Sequence, residues 1–183
     1  MFVNIMTIKI TGERVYLTEM QEKDAHLLHE YSKEPKLNEY SGPYKASESL
    51  EKSKEYIANS KKNILKKDSY ILGIYEKITS NFVGTIGFFD LDKEDKNGQL
   101  GFWVAKDYWN KGYMTDSVKL MTDYIFNVLK YHRVYAYTHE INKSVERVLS
   151  KAGYEKEGEL KRTLKSKDGK YHNDIVYGIV NTS

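Results

Sequence analysis

Apolar and polar positions change period repeatedly along the chain. Glu13–Thr18 alternates and predicts a strand. Gln21–Lys33 sets Ala25, Leu28 and Tyr31 at helical spacing, and Pro35 ends that helix. Ser47–Lys66 predicts a longer helix with Leu50, Tyr56, Ile57, Ile64 and Leu65 on its apolar side and Ser47 as N-cap. Ser69–Glu76 and Phe82–Leu91 predict strands joined as a hairpin near Thr79-Ser80-Asn81. The polar run Asp92–Asn97 predicts a turn before a strand at Gln99–Ala105. Val118, Met121, Ile125 and Val128 form a helical stripe within Thr115–Lys130. A strand follows at Val134–Thr138. A second stripe of Val145, Val148, Leu149 and Ala152 then predicts a helix stopped by Gly153. Tyr154–Thr163 and Tyr171–Val180 predict strands around the hairpin signal Lys167-Asp168-Gly169-Lys170. This order predicts an α+β fold: a mixed, mostly antiparallel central sheet of about seven strands flanked by about four helices.

Composition narrows the classes. With 183 residues the chain reads as a single domain, 1–183. No apolar run is long enough for a membrane span. Met1–Met6 lacks the basic and cleavable parts of a secretory signal. There is no cysteine, which removes disulfides, thiolate metal sites and thiol nucleophiles and favours a cytoplasmic setting. Lys and Arg number 29 against 26 Asp and Glu, too balanced for a nucleic-acid binder. The basic run at Lys61-Lys62 and Lys66-Lys67 reads as a solvated helix face. His26 and His29 share a helix face but have no third ligand, so no metal site is expected.

The candidate chemistry lies in Phe102–Thr115, where a strand ends, a loop turns and a helix begins at Gly112. The first N–H groups of a helix lack internal partners and, with the macrodipole, form an anion site. Gly112 lets backbone approach a phosphate, and Lys111 and Lys106 add charge. An ordinary strand–helix turn fits the same residues. Neither a Walker loop nor a dinucleotide fingerprint is present.

The run Tyr108-Trp109-Asn110-Lys111-Gly112-Tyr113-Met114-Thr115 resembles the acyl-CoA pyrophosphate loop of the GCN5-related N-acetyltransferases. It resembles most the branch of ribosomal-protein N-terminal acetyltransferases, which commonly writes Tyr-Trp-x-Lys-Gly-Tyr-Ala-Thr-Glu. The similarity continues through Val83-Gly84-Thr85-Ile86-Gly87, His132-Arg133-Val134, Asn142, Arg147-Val148-Leu149, Lys151, Gly153-Tyr154 and the final hairpin. It implies the acyl-CoA N-acyltransferase fold, acetyl-CoA as co-substrate with no metal, and transfer of acetyl to a primary amine. The acceptor would be a protein N-terminus or a small molecule such as a polyamine, amino sugar or drug. Membranes and nucleic acids are not expected partners, and homodimerisation stays open.

By the same resemblance, backbone groups of Phe102, Trp103 and Val104 would hold pantetheine and the acetyl carbonyl. Asn110, Lys111, Gly112, Tyr113, Met114 and Thr115 would hold the pyrophosphate. Asn142 would meet the pantetheine, although a helix N-cap explains it equally well. The sequence departs from the branch at three positions. Gln99 stands where many relatives have a carboxylate, Met114 where the loop has a small residue, and Val145 where a hydroxyl is usual. Leu149 occupies the position of the wider superfamily's tyrosine acid. No general acid or base therefore carries over; the remaining catalytic candidates are the Val104 backbone, Asn142, Ser144 and His139. These departures motivate the alternative of a non-catalytic acyl-CoA-binding module.

Overall fold

The computed structural model describes residues 7–41, 48–165 and 169–182. Among the described residues, eight strands form one open sheet, and five α-helices pack on it. In chain order these are β1 (Lys9–Thr11), β2 (Val15–Thr18), α1 (Ala25–Ser32), α2 (Pro35–Ser41), α3 (Leu50–Lys66), β3 (Tyr70–Glu76), β4 (Phe82–Asp92) and β5 (Asn97–Val104). They continue with α4 (Tyr113–Asn127), β6 (Arg133–His139), α5 (Lys143–Lys151), β7 (Glu155–Lys165) and β8 (Tyr171–Val180). The sheet order is β1-β2-β3-β4-β5-β6-β8-β7, and β5–β6 is its parallel pair.

The expected class holds, with two added elements. β1 is a three-residue edge strand, too short for an alternating pattern to register. Pro35 ends α1 as expected, but it also opens α2. Proline's missing N–H costs nothing in a first helical turn. The expected cap Ser47 lies outside the described residues; α3 starts at Leu50, and Ser49 Oγ accepts from Lys52 N at 3.1 Å. Leu65 and Val128 are each 59% exposed, against expectation. The buried face of α3 runs through Ser53, Ile57 and Ser60. Leu65 lies off that row, and Val128 falls at the cap of α4, past its last turn.

Strand alternation builds two cores. Val15, Leu17, Leu72, Ile86 and Leu100 meet Val118, Met121 and Ile125 of α4. Tyr75, Phe82, Trp103 and Ala105 meet Ala25 and Leu28 of α1 and Ile57 of α3. Successive side chains of a strand point to opposite faces, so the two cores lie on opposite faces of the sheet.

Candidate functional site

The site follows from one interruption in the sheet. β5 and β6 pair only at Asn97–Arg133, Gly98–Val134 and Gln99–Tyr135. Beyond that, β5 stays with β4 as far as Val104–Gly84, while β6 stays with β8 as far as His139–Asp174. The two halves of the sheet therefore part into a wedge.

Ladder parity shows what lines it. Ala105 N donates to Val83 O at 2.8 Å, so Ala105 and Trp103 bond towards β4. Phe102 and Val104 alternate with them and direct their N–H and C=O groups into the wedge. On the other wall, Glu140 N donates to Asn173 O at 3.0 Å. By the same alternation Tyr137 and His139 turn their backbone groups towards β5. Asn142 N takes the His139 carbonyl at 2.8 Å. The expectation for Trp103 is corrected here: its peptide groups serve the β4 ladder opposite Thr85, and its side chain packs in the α1–α3 core. Phe102 and Val104 keep their wedge-facing backbone.

The N-terminus of α4 stands at the C-terminal end of β5. The chain leaves β5 through one 3-10 turn, Lys106–Tyr108, and then passes Asn110 and Gly112, both left-handed with φ of 61° and 80°. Gly112 is the N-cap, no side chain caps it, and the first helical bond runs from Asp116 N to Gly112 O at 3.1 Å. The N–H groups ahead of Asp116 thus have no helical acceptor. The Asp116 carboxylate accepts Arg14 N at 2.8 Å and Val15 N at 3.1 Å, which fixes the helix start against β2. Tyr113 donates its phenol to Glu76 on β3. That contact and Thr79 hold the Glu76 carboxyl below the usual range, Thr79 contributing more, and the same contact raises the Tyr113 phenol.

Charge around this helix start differs in part from expectation. Lys111 Nζ stays in the loop, 5.0 Å from the Tyr108 ring centre. Lys106 turns away to Glu34 at 3.7 Å. Arg14, which sequence reasoning missed, lies against Gly112: a Cβ there would sit 3.5 Å from its Nε and 3.7 Å from its Cζ. Nothing local in the sequence links positions 14 and 112. Met114 is half-buried and packs against the main core, and so does Val145.

On the far wall, Asn142 Oδ1 caps α5 by accepting Val145 N at 3.4 Å, and Ser144 Oγ donates to the same oxygen at 2.7 Å. Asn142 is thus the N-cap, and the Ser144 hydroxyl serves that cap. His139 is 9% exposed at the end of β6. Its Nδ1 lies 2.8 Å from Asp174 Oδ1, and Asp174 Oδ2 accepts Thr163 Oγ1 at 2.8 Å. The sequence reading had not paired His139 with Asp174. Among the described residues, no group of three or more His, Cys, Asp or Glu is arranged to hold a metal ion. No helix of the described residues is long and apolar enough to cross a membrane.

Residues 14–155 match the model of the acetyltransferase (GNAT) domain. The chain is 30% identical over 133 residues to the probable N-acetyltransferase YjcK of Bacillus subtilis, covering 72% of this chain and 73% of that one. In structure it is similar to the ribosomal-protein-S5-alanine acetyltransferase of Vibrio fischeri, with TM-score 0.85, 20% identity and coverage of 96% and 98%. It is also similar to the microcin C7 self-immunity acetyltransferase MccE, solved with acetyl-CoA and AMP, with TM-score 0.79, 20% identity and coverage of 92% and 93%.

Proposed function

The chain belongs to the acetyltransferase (GNAT) family and is an acetyl-CoA-dependent N-acetyltransferase; on that premise we propose that it acetylates a primary amine by direct attack within the β5–β6 wedge. The observation that carries this reading is the wedge itself, with backbone polar groups on both walls and the uncapped start of α4 beside it. The pyrophosphate sits on the N–H groups of Gly112–Thr115, with Arg14 and Lys111 supplying charge. The pantetheine arm runs into the wedge as a substitute strand against Phe102, Val104 and Tyr137, and passes Asn142.

The neutral amine nitrogen attacks the thioester carbon. A C–N bond forms, and the carbonyl oxygen gains negative charge and accepts a hydrogen bond from the Val104 N–H. Collapse of this intermediate breaks the C–S bond and releases the CoA thiolate. The proton lost by nitrogen goes to His139, whose Nδ1 lies 2.8 Å from Asp174 Oδ1. Placement of both reactants supplies about 7–11 kcal/mol when the geometry is good. The preferred acceptors are amines already partly neutral near pH 7. An α-amino group with a pKa of about 7.7 meets that condition far better than lysine at about 10.4.

Calorimetric titration with acetyl-CoA, followed by thiol release with an amine panel, tests the reading. The panel holds an alanyl peptide, spermidine and glucosamine, and the cysteine-free chain gives no thiol background. Micromolar binding, about 8 kcal/mol, with amine-dependent thiol release is expected. Binding without such release would make the chain an acyl-CoA-binding module. No binding at millimolar ligand would remove the site.

A further inference from the structure

Val104 has two backbone polar groups on the wedge side, and one of them is already taken. Trp109 folds back from the loop, and its Nε1–H donates to Val104 O at 2.7 Å. The next N–H in the chain, that of Ala105, is held on the other side by Val83 O at 2.8 Å. The peptide plane linking Val104 to Ala105 is therefore fixed at both ends, once from the loop and once from β4. Trp109 is half-buried and packs on the main core, so the indole is itself held in place.

Two physical consequences follow. A bare carbonyl oxygen at the end of β5 would put partial negative charge beside the place where the thioester oxygen becomes an oxyanion. The indole N–H neutralises that oxygen and leaves the Val104 N–H as the polar group that this residue offers to the wedge. The clamp also fixes ψ of Val104, and hence the last residue of β5, against the loop that begins α4. A preorganised donor is worth most when it need not reorient during reaction.

We infer that Trp109 is a positioning residue for the acetyl-transfer step: by clamping the Val104 carbonyl it leaves the Val104 N–H as the polar group that this residue presents to the reacting oxygen. The inference rests on the function proposed above. Trp109→Phe keeps the ring and removes the donor. The expected result is a fall in kcat of up to about 100-fold, since misplacing a catalytic group by about 1 Å costs on that order. The calorimetric Kd for acetyl-CoA should stay within about threefold, which is less than 1 kcal/mol. Trp109→His, which restores an N–H, should recover part of kcat. An unchanged kcat in a folded Trp109→Phe protein overturns the inference. So does a rise in Kd matching the loss in kcat, because that would mean Trp109 only shapes the binding loop.

A second measurement needs no variant. In isotope-labelled wild type, the Trp109 indole nitrogen should show a coupling across the hydrogen bond to the Val104 carbonyl carbon, and its proton should exchange slowly. Absence of that coupling refutes the clamp even if both variants fail to fold. Failure of the underlying function looks different: the coupling is present, but no amine in the panel is acetylated and the Val104 amide resonance does not move when acetyl-CoA is added.

Discussion

Single residues do most of the work at the start of α4. Gly112 adopts φ of 80° beside Arg14, and that left-handed backbone is the demand that favours glycine here. Gly112→Trp should cost about 1–2 kcal/mol of stability for an L-residue at that φ. It should also weaken acetyl-CoA at least about tenfold, or 1.4 kcal/mol, by setting an indole between Arg14 and the phosphates. Calorimetry on the folded variant checks this, and an unchanged Kd would show that the phosphates bind elsewhere. Met114 shows why residue identity alone misleads. A bulky side chain in such a loop reads as an obstruction, yet Met114 is half-buried and packs against the main core.

At the scale of elements, the β4–β5 ladder aims the Val104 N–H. A Cβ on Gly84 would lie 2.2 Å from the Trp103 carbonyl oxygen and 2.9 Å from Val104 Cα. Gly84→Ala must therefore shift the backbone of β5, at about 1–3 kcal/mol in stability. It should lower kcat more than it raises the Kd for acetyl-CoA, as a thermal melt with parallel kinetics and titration would show. Away from the site, Arg133 on β6 pairs with Glu157 on β7 and holds that carboxyl below its usual value. A lowered folded-state pKa contributes stability above the unfolded value of about 4.3, and that contribution is lost as pH falls through the folded value. The pair is about one-third exposed, so the effect is small, about 0.5–1 kcal/mol. Arg133→Gln should destabilise by that amount at pH 7 and by nothing at pH 2, measured by urea unfolding at both.

For the whole molecule, the parallel β5–β6 pair decides the architecture. Antiparallel neighbours can be joined by short turns, but a parallel pair needs a crossover, and here α4 supplies it. The same connection brings the helix start to the C-terminal ends of the two parting strands, so the loop before α4 and the wedge arise together. Substrate chemistry belongs at this scale too. On the proposed assignment of His139 as proton acceptor, turnover of an alanyl peptide at pH 7 should exceed that of a lysine side chain by more than about tenfold, because the neutral fraction of an amine falls tenfold per unit below its pKa. The gap should narrow as pH rises, and a competition assay over pH 6.5–9 measures it. Equal rates at pH 7 would point to a stronger base than His139.

The α+β class, the positions of most strands and helices, and the strand–loop–helix turn at Tyr108–Thr115 were all legible in the sequence. All of these depend on short-range periodicity or on residues adjacent in the chain. The final hairpin and the cap at Asn142 are local in the same sense. Tertiary structure alone decided which backbone groups face the wedge. Parity depends on which neighbour each strand pairs with, and that is how Trp103 came to serve the β4 ladder while Val104 faces the site. Only the fold brought Arg14 to Gly112 and Asp174 to His139, because those pairs lie far apart in the chain and meet through strand order. Periodicity reports the face an element buries; it carries no information about the partner that face or edge will meet.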